Sequence, residues 1–396
     1  MGPLTEHLVH HAGYVTCTDA IQTPGNVLCF HVHRMPLPPL LLAALVRIFG
    51  NRYLAVDLTK IALVLIPVAA AFSLIWQKLY SKIDSHLRWQ ASLLLFLCLM
   101  LPTLIVDVIH LQVEEGYSFC LLAYALAVLL FGVGKNQQHL RSAVLFALAV
   151  AGLYLTKSSM VLACTFLVGF YCWSVSQRKL RAVVLLITIC APLGWGLYSL
   201  HVTGRFTLGT SLDGINLHKG NNADFLERYP PANDGSLDRY DALLSDGRFF
   251  ANEWDLNDYH THASLIFMKA HPVEDMRGDL RKADIFFLSF RKIGSERYRG
   301  MLGLATDASM LVFRLLLWSA CLLALHTLWR GTVERRRTAL LYIGIVLTVA
   351  APYIVGFAFT RHASVLILPS ALYLIHWRLN GNSVSGASRG AAPEPA

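Results

Sequence analysis

Four polar groups interrupt an otherwise apolar chain at points where a charge is costly. Arg34, in H-V-H-R-M-P-L-P-P-L-L (31–41), directly precedes an apolar run that opens on prolines. Asp107, Glu114 and Glu115 share one short loop after an apolar window. Lys157 lies in T-K-S-S (156–159) between two such windows, and Arg361–His362 lies between two more with almost no loop around it. A charge in lipid costs roughly 2.5–3.5 kcal/mol at a helix centre and less towards the ends. Arg offers a planar fork that fits phosphate. Neighbouring carboxylates can take a proton or hold hydroxyl groups. Cations that converge at a membrane face suit an anionic lipid headgroup, whose chain stays between helices. Each group also has a plain alternative. Arg34 serves equally as an interface anchor, the carboxylates as solvated loop charges, and Lys157 as a snorkelling side chain. His31 and His33, one residue apart and without a carboxylate partner, are a weak metal pair, and no metal site is assigned.

The elements that must position these groups are transmembrane helices. The 396 residues are 55% hydrophobic and only 15% charged, with mean hydropathy +0.49. A soluble domain is about 45–50% apolar and about 25% charged, so the composition excludes a disordered chain and argues against an ordinary soluble globule. The net charge of +9 fits basic cytoplasmic loops better than nucleic acid. Windows free or nearly free of charge lie at 61–76, 89–106, 117–134, 142–156, 158–175, 182–203, 308–328, 338–359 and 362–377. They predict an all-α integral membrane fold of about nine transmembrane helices, with an external interfacial helix and one large external loop. Arg314 falls near the end of its window, where snorkelling would carry it to the interface.

Alternate loops are basic: 78–88, 134–141, 176–181 and 330–337. The positive-inside rule makes these cytoplasmic and the intervening loops external. The expected organisation follows. Residues 1–53 form an external first loop with an interfacial helix at 36–50. The first six spans occupy 54–203, an external loop 204–307, the last three spans 308–377, and a disordered cytoplasmic tail 378–396. Six cysteines sit in apolar runs; Cys17 and Cys29 lie in a polar stretch and could pair in an oxidising compartment.

These features resemble the C-type superfamily of glycosyltransferases, which use polyprenyl-phosphate sugars and include protein O-mannosyltransferases and aminoarabinose transferases. R-M-P-L-P-P-L-L-L-A-A-L-V-R-I-F-G (34–50) is similar to the family's first-loop segment, T-K-S-S to its T-K-G-type turn, and Glu114-Glu115-Gly116 to its acidic site before the fourth span. R-H-A-S-V-L-I-L-P (361–369) resembles its late Arg–Pro segment, and G-T-S-L-D-G-I-N-L-H-K-G-N-N (209–222) the start of its large external loop. The resemblance covers nearly the whole chain through individually loose motifs.

The resemblance implies transfer of a sugar from a polyprenyl-phosphate donor to a hydroxyl on a lipid or glycan acceptor. The setting would be the outer face of a bacterial plasma membrane. Glu115 and Asp107 would be the catalytic carboxylates; Arg34, Glu114, Lys157, Arg361, His362 and Asn221 would bind substrate. Some relatives use a divalent metal and others do not. Gly13-Tyr14 resembles a pair that follows the family's catalytic Asp, which places that Asp and a first helix upstream of Met1 and predicts a chain that binds donor without transferring it. The rival classes are a lipid or polysaccharide transporter or flippase, and an inactive polyisoprenoid-binding relative.

Overall fold

A computed structural model describes residues 3–10, 13–19, 27–50, 53–80, 89–94, 98, 114–132, 139–228, 244, 247–290 and 300–387. Among the described residues the fold is all-α apart from one two-stranded hairpin. A short helix α1 (Pro3–Val9) precedes the antiparallel strands β1 (Thr16–Asp19) and β2 (Val27–Phe30). Cys17 pairs with Cys29 across this hairpin, both in register and as a disulfide. Its inner residues Leu28 and Phe30 pack on Phe250 and Leu256 of the 204–307 tract.

Helix α2 (Leu37–Phe49) begins with prolines, which are pre-set for a helix's first turn. It stops at Gly50, whose φ of 61° favours a residue without a Cβ. The long helices are α3 (Tyr53–Tyr80), α4 (Glu115–Ala127, continued by a π turn to Gly132), α5 (Leu140–Thr156), α6 (Val161–Ser174) and α7 (Arg178–Thr203). The 204–307 tract supplies α8 (Asp213–Gly220), α9 (Phe225–Arg228), α10 (Glu253–Ala270) and α11 (Pro272–Phe287). Helices α12 (Gly300–Arg330), α13 (Val333–Val355) and α14 (Ile367–Ala387) complete the chain, with a 3-10 segment at Thr360–Leu366 before α14.

Among the described residues, five helices are long and apolar enough to cross a membrane: Val56–Leu74, Glu115–Gly132, Arg178–Thr203, Gly303–Arg330 and Val333–Val355. Helix α4 is central. All its residues except Leu121 are buried, so it is apolar on every face. Helix α7 is peripheral and exposes Leu185, Ile189, Leu193, Leu197 and Leu200 along one stripe. Helix α12 exposes Leu311, Leu315, Trp318, Leu322 and Leu325 in the same way. Stripes of this kind need an apolar surrounding, and this is the fold of a membrane protein.

The windows 142–156 and 158–175 form α5 and α6, of 17 and 14 residues, and window 89–106 lies mostly outside the described residues. Helix α12 opens at Gly300, within the tract read as external loop. The region 378–396 does not begin as irregular chain: α14 continues to Ala387, because extending a formed helix costs far less than starting one. Residues 388–396 lie outside the described residues. Arg314 does not snorkel. It is buried, with Nε donating to Ser289 O at 3.0 Å and Nη2 to Thr360 O at 3.2 Å and Ile285 O at 3.5 Å. Carbonyls in the last turn of a helix lack intrahelical donors, and at the end of α11 Arg314 serves Ile285 O while Trp318 Nε1 serves Phe287 O.

Candidate functional site

A cavity of about 690 Å³ gathers polar groups of the chain. It lies where the segment after β2, the start of α4, the α5–α6 turn, α8 and the end of α13 meet. Each contributing segment is fixed by identifiable bonds. Tyr14 Oη donates to Arg34 O at 2.7 Å, and its ring packs edge-on against Trp195 and Tyr198. The buried Glu253 carboxylate accepts from His31 N and Val32 N at 3.0 and 3.3 Å, tying the 31–35 segment to α10. At the end of α8, Gly220 lies so close to Gly356 O that a Cβ there would collide with it.

Six residues singled out from sequence line this cavity together: Arg34, Glu114, Glu115, Lys157, Arg361 and His362. They form a chain of alternating charge. Arg34 Nη1 is 3.2 Å from Glu114 Oε1, and Lys157 Nζ is 4.0 Å from Glu114 Oε2. Lys157 Nζ donates to Glu115 Oε1 at 2.5 Å, and Arg361 Nε lies 4.0 Å from the same oxygen. His362 accepts from Phe359 N at Nδ1, which puts the ring proton on Nε2, 3.5 Å from Glu115 Oε1. The helix ends reinforce this order: the carboxylates stand at the positive N-terminus of α4, and Lys157 caps the negative C-terminus of α5.

Two proposed residues fall elsewhere. Asp107 lies outside the described residues. Asn221 does not line the cavity; it is buried behind the wall, where its amide donates to Leu217 O and Val355 O and accepts from Lys282 Nζ. Its role there is to join α8, α11 and α13, because a buried amide needs all of those partners.

Other lining residues lie outside the set that sequence singles out for the site. Lys219 faces the cavity with its ammonium 5.5 Å from the Phe357 ring centre. His33 lines it too, held down to about 3 by burial and by the charges of Arg34 and Lys219, so this imidazole is neutral. Tyr353 lies under Lys157 and accepts from Ser159 Oγ at 3.0 Å. Asp213 accepts from Thr210 N at 2.9 Å, Thr210 Oγ1 at 2.8 Å and Ser158 Oγ at 3.2 Å. The sequence signal for Asp213 is the T-x-x-D spacing from Thr210, a helix-start pattern. Apolar residues complete the wall, and Val161, Leu208 and Val355 expose their side chains at its edge.

Glu114 and Glu115 are already ion-paired with Lys and Arg, and no cluster of three or more His, Cys, Asp or Glu occurs among the described residues. No protein-family model, curated protein or solved structure matches this chain.

Proposed function

We propose that the protein is a membrane glycosyltransferase that moves a sugar from a polyprenyl-phosphate donor to an acceptor hydroxyl. One observation carries this reading. Arg34, Lys157, Lys219 and Arg361 line a single cavity whose edge also exposes Val161, Leu208 and Val355. Cations serve a phosphate, and the apolar edge gives a lipid chain a path outwards. The resemblance of the surrounding segments to the C-type glycosyltransferases supports the same choice over a transporter.

In this scheme about nine helices span the plasma membrane and the cavity opens on its external face. The acceptor hydroxyl attacks the anomeric carbon while polyprenyl phosphate leaves, and Arg34, Lys157 and Arg361 stabilise the leaving phosphate in a largely desolvated groove. Glu115 spaces the cations Lys157 and Arg361, and Glu114 spaces Arg34 and Lys157. The large loop contributes Asp213 and Lys219 beside the sugar.

The test is binding of undecaprenyl phosphate to the purified protein in detergent. A charged hydrogen bond is worth about 1.5–3 kcal/mol, so Arg34→Ala, Lys157→Ala and Arg361→Ala should each weaken binding by roughly 10-fold or more. Lys179→Ala, at the start of α7 and away from the cavity, should leave it unchanged. Equal affinity across all four variants would sink the reading.

A further inference from the structure

We infer that Asp213 is the proton acceptor of this site: its carboxylate takes the proton from the acceptor hydroxyl as that oxygen attacks the anomeric carbon. The inference rests on the glycosyl-transfer reading. Of the carboxylates present, Glu115 and Asp107 are the ones that the sequence reading offers, yet the surroundings of Glu115 suit it poorly. Glu115 Oε1 is shared by Lys157, Arg361 and His362. Lys and Arg carry donors only. A proton added to Glu115 would therefore be set against other donors.

Asp213 has the opposite surroundings. It lines the same cavity and is exposed to its interior. Among the described residues it has no ion pair; its partners are the Thr210 amide and the hydroxyls of Thr210 and Ser158. A hydroxyl both donates and accepts. When Asp213 gains a proton, Thr210 or Ser158 can rotate to accept it, and no polar group is stranded. Ser158, which donates to Asp213, directly follows Lys157 in the chain, and both line the cavity. A carboxylate here sits beside the phosphate site without being neutralised by it. The protein around the cavity removes bulk water from Asp213, and this together with the Glu114 charge raises its pKa above the ordinary aspartate value. That shift moves it towards the range in which a general base is effective.

The step balances without a co-reactant. The acceptor oxygen forms the new bond to the anomeric carbon, and the bond from that carbon to the phosphate oxygen breaks. Polyprenyl phosphate leaves with the electron pair, and the hydroxyl proton goes to Asp213. The remaining role open to Asp213 is to hold the turn before α8 by accepting from Thr210 N, and Asn fills that role nearly as well because its Oδ1 can accept from the same amide.

Asp213→Asn is therefore the deciding variant. Two quantities are measured: binding of undecaprenyl phosphate, and its release from undecaprenyl-phosphate mannose, glucose and aminoarabinose in the presence of bacterial glycolipid. Loss of a general base costs about 10²–10⁴-fold. The expected result is a loss of that size in the release rate, with undecaprenyl phosphate affinity held within about 3-fold, while Asp213→Glu recovers part of the rate. Release within about 3-fold of the unsubstituted protein, or parallel loss of binding and release, would overturn the assignment. An unsubstituted protein that binds undecaprenyl phosphate but releases it from none of the three donors also overturns the assignment, and leaves an anion-binding cavity. One that does not bind undecaprenyl phosphate removes the glycosyl-transfer reading itself.

Discussion

Lys157 Nζ and Glu115 Oε1 lie 2.5 Å apart across 42 residues of chain, at the meeting point of one helix's end and another's start. Glu115 is almost wholly buried. Breaking a buried pair by removing one partner strands the other charge and costs about 3–5 kcal/mol. Glu115→Gln should therefore lower the thermal midpoint in detergent markedly. The Glu115→Gln/Lys157→Met double variant should recover part of the loss, since neither charge is then left alone. A double variant as unstable as the sum of the two single changes would show that the pair is not the coupled unit.

The disulfide gives a chemical readout. Cys17 and Cys29 are bonded, and the other six of the eight cysteines are free. Mass spectrometry of the unfolded protein should count six alkylated thiols before reduction and eight after. Because β2 runs directly into the segment bearing Arg34, reduction should also weaken undecaprenyl phosphate binding. Eight reactive thiols without reductant would remove the bond.

A pH dependence follows from His218 and His260, whose Nδ1 atoms are 2.8 Å apart. Burial holds His218 down to about 4; burial, with the charges of His218 and Lys219, holds His260 down to about 3. Above the ordinary value of 6.5 neither state binds these protons, and the stabilisation is complete. As pH falls below 6.5 the unfolded chain takes up protons that the folded one refuses, so stability drops until about 3. The thermal midpoint should fall between pH 7 and pH 5. The fall should be smaller in a His218→Phe/His260→Phe variant, and an equal fall in both proteins would assign the acid sensitivity elsewhere.

Gly220→Ala tests how closely α8 must approach the end of α13. The added Cβ meets the Gly356 carbonyl, which is backbone and cannot rotate away. Overpacking costs typically about 1–3 kcal/mol. The variant should melt earlier and bind undecaprenyl phosphate less tightly, because α8 carries both Asp213 and Lys219. Gly169→Ala, where a Cβ meets nothing within 4 Å, is the matched control.

The helical class is legible in the sequence because charge-free windows are long and local. Arg34, Lys157 and Arg361 are marked in the same way by standing at the ends of such windows, since position along an apolar run is a one-dimensional property. What stays hidden depends on long-range contact. Asp213 reads as a helix start until Ser158, 55 residues away, is seen to hold it. Asn221 reads as a substrate-binding residue of the external loop until Lys282 and Val355 are found around it. Arg314 looks like an interface charge because sequence cannot show that Ser289, Ile285 and Thr360 present their carbonyls to it.

The line Arg34–Glu114–Lys157–Glu115–Arg361 means that the cavity carries its own counter-ions. Arg34, Lys157 and Arg361 each lie within 4.0 Å of a carboxylate oxygen, so the protein need not fold around these three charges bare. An arriving anion then enters by exchange. It must compete with a resident carboxylate, and the outermost link offers the least resistance, because Arg34 is 48% exposed while Glu115 is 3% exposed. Affinity in such a site is a difference between two sets of ion pairs. Discrimination falls to ligands whose charge is compact and doubly negative enough to displace a single carboxylate.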